Sequence, residues 1–225
     1  MIAAVRQVVA SSPVPVICFA GAPFTLASYL IEGRPSRDFA KVKAFMYSEP
    51  AAFDELLGKL AVTMTGYLEA QVAAGAEAIQ LFDSWAGALA LEDYEARVLP
   101  HTRAIFDALA SLGVPRIHFG TNTAGLLESI SSAGPDVVSL DWRVPLDRGW
   151  ERVGSDRGVQ GNLDPAVLLG PPDLVRARAI DVLRRAGGRP GHIFNLGHGV
   201  LPATQLENLQ LLIETVHEWE VARVA

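Results

Sequence analysis

Asp83-Ser84, Thr121-Asn122, Asp141, Asn162, Asp164 and His198 are the residues whose types and placement suit chemistry, because each follows a short apolar run at the point where a turn begins. His198 stands between two glycines in FNLGHGVLP (194–202). Glycines on both sides clear the neighbourhood of side chains, so a bound molecule can approach the imidazole and the adjacent amides closely. A tight turn carrying a surface histidine explains the same residues on local grounds. Asp83, Asp141, Asp164 and His198 together could hold a divalent cation, but no H-x-H pair and no H-E-x-x-H accompanies them. The expectation is no metal.

The elements that must position these groups show as a repeating alternation. Apolar runs end in polar or glycine-rich turns at VPVICFAGAP (14–23), EAIQLFDS (77–84), PRIHFGTNT (115–123), DVVSLDW (136–142), RGVQGNLDP (157–165) and GHIFNLGHG (191–199), giving six candidate strands. The first is read as a buried strand over Val14 to Phe19. Helical faces lie between: Phe53, Leu56, Leu57, Leu60, Met64, Tyr67 and Leu68 recur at steps of three and four, as do Leu206, Leu209, Leu212, Ile213 and Val216. Gly75, Gly113 and Gly187 fall where helices should stop, and Asp164-Pro165 reads as a cap followed by proline at the first helical position.

Strand, helix, strand in succession predicts a parallel sheet, either doubly wound or a (β/α)8 barrel. No G-x-G-x-x-G follows the first strand and no G-x-x-x-x-G-K-[ST] occurs. A polar group ends every strand, and only a barrel gathers all such ends around one mouth. The barrel is therefore favoured, as one incomplete α/β domain over 1–225, with six strands where eight are needed.

Composition narrows the class of function. With 225 residues, half of them hydrophobic, the chain can bury a substantial core. A net charge of -6 and scattered Lys and Arg argue against a nucleic-acid partner. The lone Cys18 offers neither an internal disulfide nor a thiolate cluster, which fits a reducing cytoplasm. Val8 to Ile31 is uncharged, yet Pro13, Pro15 and Pro23 would interrupt a helix across lipid, so no membrane partner is expected.

CFAGAPFTLASYL (18–30), QLFDSWAG (80–87), FGTNT (119–123), SLDWRVPL (139–146), QGNLDP (160–165) and NLGHGVLP (195–202), in this order and spacing, resemble the uroporphyrinogen decarboxylase family. That resemblance implies decarboxylation, without a cofactor, of the four acetate side chains of uroporphyrinogen III to give coproporphyrinogen III in haem biosynthesis, by a cytoplasmic homodimer. It also implies substrate-binding roles for Tyr29 and Ser84, for His198 toward a propionate or acetate, and for Phe19 and Phe82 as apolar cleft residues facing the macrocycle. Each has a plainer reading as well: a helix-face aromatic for Tyr29, a helix N-cap for Ser84, core packing for the phenylalanines. Arg34 and Arg37 in EGRPSRDF (32–39) could draw a polyanion to the mouth.

The family's arginine-rich segment of the form RQAGRY and its catalytic aspartate have no counterpart here, so no catalytic residue is assigned. The expectation is a piece of a longer protein, inactive and aggregation-prone by itself because strand edges would be left open. A non-catalytic barrel that holds porphyrinogens or a partner is the alternative. A relative of the cobamide-linked methyltransferases is disfavoured, since those use cysteine ligands and Cys18 stands alone.

Overall fold

The computed structural model describes residues 1–34 and 36–219. The chain divides into two compact units, Met1–Asp136 and Val137–Ala225. Each holds three parallel strands.

In the first unit, α1 (Ile2–Ser11) leads to β1 (Ile17–Gly21), α2 (Pro23–Glu32), α3 (Ala40–Ser48) and α4 (Pro50–Ala73). Then follow β2 (Ala78–Asp83), α5 (Leu91–Asp93), a π turn (Tyr94–Val98), α6 (Leu99–Ala108), β3 (Arg116–Gly120) and α7 (Leu127–Ser132). Strand β2 lies between β1 and β3, with Phe19 opposite Gln80 and Phe82 opposite Phe119. The long helix α4 buries Phe53, Leu57 and Leu68 of the face that its spacing predicts, leaves Leu56, Leu60, Met64 and Tyr67 half-buried, and buries Ala61 and Gln71 as well. Gly113 closes the following helical stretch with φ 72°, a left-handed cap that glycine adopts without strain.

The expectation of a buried strand over Val14 to Phe19 is corrected. Pairing begins at Ile17 and runs to Gly21, and exposed residues alternate with buried ones along it. Pro13 and Pro15 have no N–H for a ladder, and the Val16 N–H goes to the Glu77 carboxylate at 3.2 Å. Within its unit β1 pairs with β2 alone, so Ile17 and Phe19 keep much of their surface.

The second unit runs β4 (Val137–Ser139), α8 (Leu146–Val153), β5 (Gly158–Gln160), α9 (Pro172–Ala186), β6 (His192–Ile193) and α10 (Leu206–His217). Strand β5 lies between β4 and β6. Asp164 does cap the turn that follows β5: its Oδ1 accepts from the Ala166 N–H at 2.9 Å ahead of a 3-10 helix, Pro165–Leu169.

Helix α10 departs from its predicted face. Leu206 and Ile213 are exposed, whereas Asn208, Leu212 and Thr215 are buried. Asn208 decides the rotation, because its amide donates to the carbonyls of Leu168 and Gly170, both at 2.9 Å, which end the 3-10 helix. Within each unit the strands follow chain order with no reversal, as a barrel requires and a doubly wound switch point would not.

Candidate functional site

The C-terminal ends of β1, β2 and β3 carry one face of aromatic side chains. Phe19 and Phe82 meet edge to face with centroids 5.2 Å apart, and Phe82 meets Phe119 in the same way at 5.4 Å. The parallel register puts Phe82 directly opposite Phe119, while Phe19, opposite Gln80, reaches Phe82 diagonally on the same face. Phe19 is 60% exposed, whereas Phe119 is buried. The two phenylalanines expected to share a cleft therefore do share a face, and Phe119 extends it.

Tyr29 lies beyond this ladder on α2, 55% exposed. Its ring meets that of Trp85 at 6.0 Å, and Trp85 in turn packs on Phe39 at 5.3 Å. A shallow pocket beside it is lined by Tyr29, Arg34, Phe39 and Trp85. Arg34 and Arg37 are both exposed on the loop after α2. Ser84 sits in the turn between β2 and the short 3-10 helix Ala86–Ala88. It makes no capping bond there, for Trp85 occupies the cap position and no side chain bonds the helix amides.

That turn is anchored from several sides. Asp83 is fully buried at the end of β2, and its Oδ1 accepts from the Thr25 hydroxyl at 2.9 Å. Burial pushes its carboxyl up to about 7, against the stabilising bond from Thr25. The Lys43 ammonium on α3 donates to the Ala88 carbonyl. Gly87 lets the next turn close in, for a Cβ there would stand 2.3 Å from the Thr121 carbonyl oxygen. On α2, Glu32 is buried and accepts from the Lys41 and Val42 amides at 3.0 and 3.1 Å, which satisfies the start of α3. The segment bearing Tyr29 is thereby tied at its far end.

In the second unit the polar strand ends are mostly committed to holding turns. Asp141 is buried and accepts from the Arg143 backbone N–H at 2.9 Å and its guanidinium at 2.7 Å. Arg143 also lies over the Trp142 ring, 4.1 Å from its centroid. Asn162 donates from one nitrogen to the carbonyls of Asp141 and Val144, at 2.8 and 2.6 Å, and follows a cis peptide bond from Gly161. These bonds account for the residue types without ligand chemistry. Among the described residues no group of three or more His, Cys, Asp or Glu is placed to hold a metal ion.

His198 is exposed in the loop after β6, its Nδ1 accepting from the Gly199 N–H at 2.7 Å. Its ring meets Trp142 edge to face at 6.5 Å. The two flanking glycines do different work. A Cβ at Gly197 would stand 2.6 Å from the Trp142 nitrogen, while one at Gly199 would meet nothing within 4 Å. Gly197 thus permits close packing of backbone, and Gly199 leaves open space beside the imidazole.

The sequence reading did not single out Trp85, Phe119, Trp142 or the Asp83–Thr25 pair. A signal existed for Phe119, which ends its apolar run just as Phe82 does in the strand before it. No local pattern announces the bond between Thr25 and Asp83, because its partners are far apart in the chain.

Cys18 is buried, and burial raises its thiol pKa, the opposite of what an activated thiolate needs. No helix among the described residues is long and apolar enough to cross a membrane.

Comparison with known proteins gives a consistent answer. The family model described as uroporphyrinogen decarboxylase (URO-D) matches residues 1–219. A uroporphyrinogen decarboxylase of Carboxydothermus hydrogenoformans is 56% identical over 205 residues, covering 91% of this chain and 59% of that protein. One from Sorangium cellulosum is 54% identical over 203 residues, covering 90% and 58%. The chain spans about three fifths of the length of these curated relatives. Among solved structures, a methyltransferase from Methanosarcina mazei superposes with TM-score 0.83 at 20% identity, over 96% of this chain and 63% of that one. At that identity the likeness speaks for fold alone, an α/β architecture of the TIM-barrel type to which the described residues contribute six strands.

Proposed function

From the premise that the chain belongs to the uroporphyrinogen decarboxylase family, we propose that it serves the cofactor-independent decarboxylation of the four acetate side chains of uroporphyrinogen III, yielding coproporphyrinogen III in haem biosynthesis. We place it in the cytoplasm and in a homodimer on the same premise. The observation that carries the reading is the aromatic pair Phe19 and Phe82, backed by buried Phe119, with Ser84 just past the end of β2 and exposed Tyr29 on α2. A flat macrocycle fringed with carboxylates matches apolar rings flanked by hydrogen-bond donors.

The chemistry needs an electron sink. Protonating a pyrrole carbon creates an iminium-like cation; the bond to the carboxylate carbon then breaks, its electrons enter the ring, and carbon dioxide leaves. A proton delivered to the exocyclic carbon completes the methyl group as the ring loses its added proton. In this reading Phe19 and Phe82 hold the ring system, while the hydroxyls of Tyr29 and Ser84 orient carboxylates. His198 in the second unit binds a further carboxylate, with the space left by Gly199 admitting it. None of these groups is assigned the initial protonation.

The test is anaerobic incubation with uroporphyrinogen III, products being resolved by carboxylate number, for this chain and for the chain carrying a family-type N-terminal segment. Stepwise loss of acetate carboxylates by at least one of them, weakened by Tyr29→Phe, Ser84→Ala and His198→Asn, is the expected result. No carboxylate loss by either would overturn the proposal.

A further inference from the structure

We infer that Asp83 and Thr25 are positioning residues, a two-bond relay that brackets Ser84 and sets it in a fixed relation to Tyr29. The Thr25 hydroxyl donates its single proton to Asp83 Oδ1 at 2.9 Å. The Thr25 hydroxyl oxygen in turn accepts from the Trp85 backbone N–H at 3.2 Å. The relay therefore leaves the β2 turn at residue 83, crosses to the first turn of α2, and returns at residue 85. Ser84 is the residue enclosed.

Tyr29 lies four residues beyond Thr25, one helical turn along the same face of α2. Any shift of the turn against the helix must stretch one of the two bonds. A third tie, from the Ala22 N–H to the Phe82 carbonyl at 2.8 Å, holds the helix start to the same strand end.

Both partners are enclosed: Asp83 is 0% and Thr25 4% exposed. Neither can touch a ligand, so any effect on ligand handling must pass through Ser84, Trp85 or Tyr29. A buried carboxyl is an expensive way to fill space, and the second oxygen of Asp83 makes no hydrogen bond among the described residues. Holding the turn gives that carboxyl a task which apolar packing could not perform.

The inference rests on the functional reading above only where a ligand enters, and its test separates the two. Fluorotryptophan is incorporated at the four tryptophans, and the Trp85 resonance is identified by its loss in Trp85→Phe. Thr25→Val removes both bonds and keeps the shape, whereas Thr25→Ser keeps both. Asp83→Asn keeps the acceptor, whereas Asp83→Ala loses it. The expected result is a displaced or broadened Trp85 resonance in T25V and D83A, with T25S and D83N close to the parent and the other tryptophan resonances unmoved.

Thermal unfolding of each variant identifies those that fail to fold, for which the serine and asparagine variants remain readable. Titration with uroporphyrin, the oxidised macrocycle, should show affinity about tenfold weaker in T25V and recovered in T25S. An unmoved Trp85 resonance in folded T25V overturns the inference. So does a moved resonance with unchanged uroporphyrin affinity. Absence of uroporphyrin binding by the unsubstituted chain counts against the functional reading instead, and the fluorine signal alone then decides the relay.

Discussion

Residues 1–136 and residues 137–225 both carry three parallel strands, yet they support the turns beyond those strands by different means. In the first unit the strands are longer, and side chains from separate helices reach the β2 turn: Thr25 from α2 and Lys43 from α3. In the second unit β4 and β5 have three residues each and β6 two, and the turns are held by their own amides and glycines. Asn162 spans two carbonyls, Asp141 turns back on Arg143, and Gly197 packs against the Trp142 backbone. Regular structure thus sets the aromatic face of the first unit, whereas loop packing sets the position of His198.

The contrast is open to direct attack. The largest effect is expected from Gly197→Ala, which forces a Cβ against backbone 2.6 Å away. It should cost about 3 kcal/mol, with hydrogen exchange placing the lost protection within residues 137–225. Next comes Asn162→Ala, which takes the amide donor from the buried Asp141 carbonyl and the half-buried Val144 carbonyl; about 2 kcal/mol in denaturant unfolding is expected. Loss of less than half that amount in either variant would mean that the second unit does not depend on its turn contacts.

The first unit should show its character in pH dependence. His118 in β3 is fully buried, and burial lowers its pKa to about 4. The unfolded chain takes up that proton near the ordinary histidine value, so folded stability falls as pH drops from about 6.5 toward 4, by on the order of 3 kcal/mol. His118→Leu should flatten that limb in urea unfolding measured across the window. Asp83 acts in the opposite direction: its raised value gives stability that is fully present below the unfolded carboxylate range and is lost as pH rises through about 7. Asp83→Asn should remove the rise-linked loss.

The smallest stability effect belongs to His198→Asn. The exposed imidazole should be worth less than about 0.5 kcal/mol to folding. On the proposed function, the variant's affinity for uroporphyrin should nonetheless fall. A stability loss matching that of Gly197→Ala would recast His198 as part of the loop's framework.

The six strands, the helical face of α4 and the cap at Asp164 were legible because each depends on local spacing or on one residue's backbone preference. The ends of β1 were not, since proline chemistry and the reach of Glu77 decide where pairing begins. The face of α10 was misread because leucines mark hydrophobicity, whereas the buried side is chosen by Asn208 and the carbonyls it satisfies. For the candidate site, Phe19, Phe82, Tyr29, Ser84 and His198 were visible as residue types at strand and helix ends. Trp85, Phe119 and the Asp83–Thr25 relay needed the register between strands and the packing of α2, which no short window of sequence contains.

The ladder of Phe19, Phe82 and Phe119 has a consequence for size. Each ring belongs to a different strand: Phe82 stands opposite Phe119 across one strand spacing, about 4.8 Å, whereas Phe19 is two residues out of step and reaches Phe82 diagonally. The row of rings therefore lengthens only in whole strands. A change of side chain can roughen or smooth it but cannot alter its strand-by-strand step.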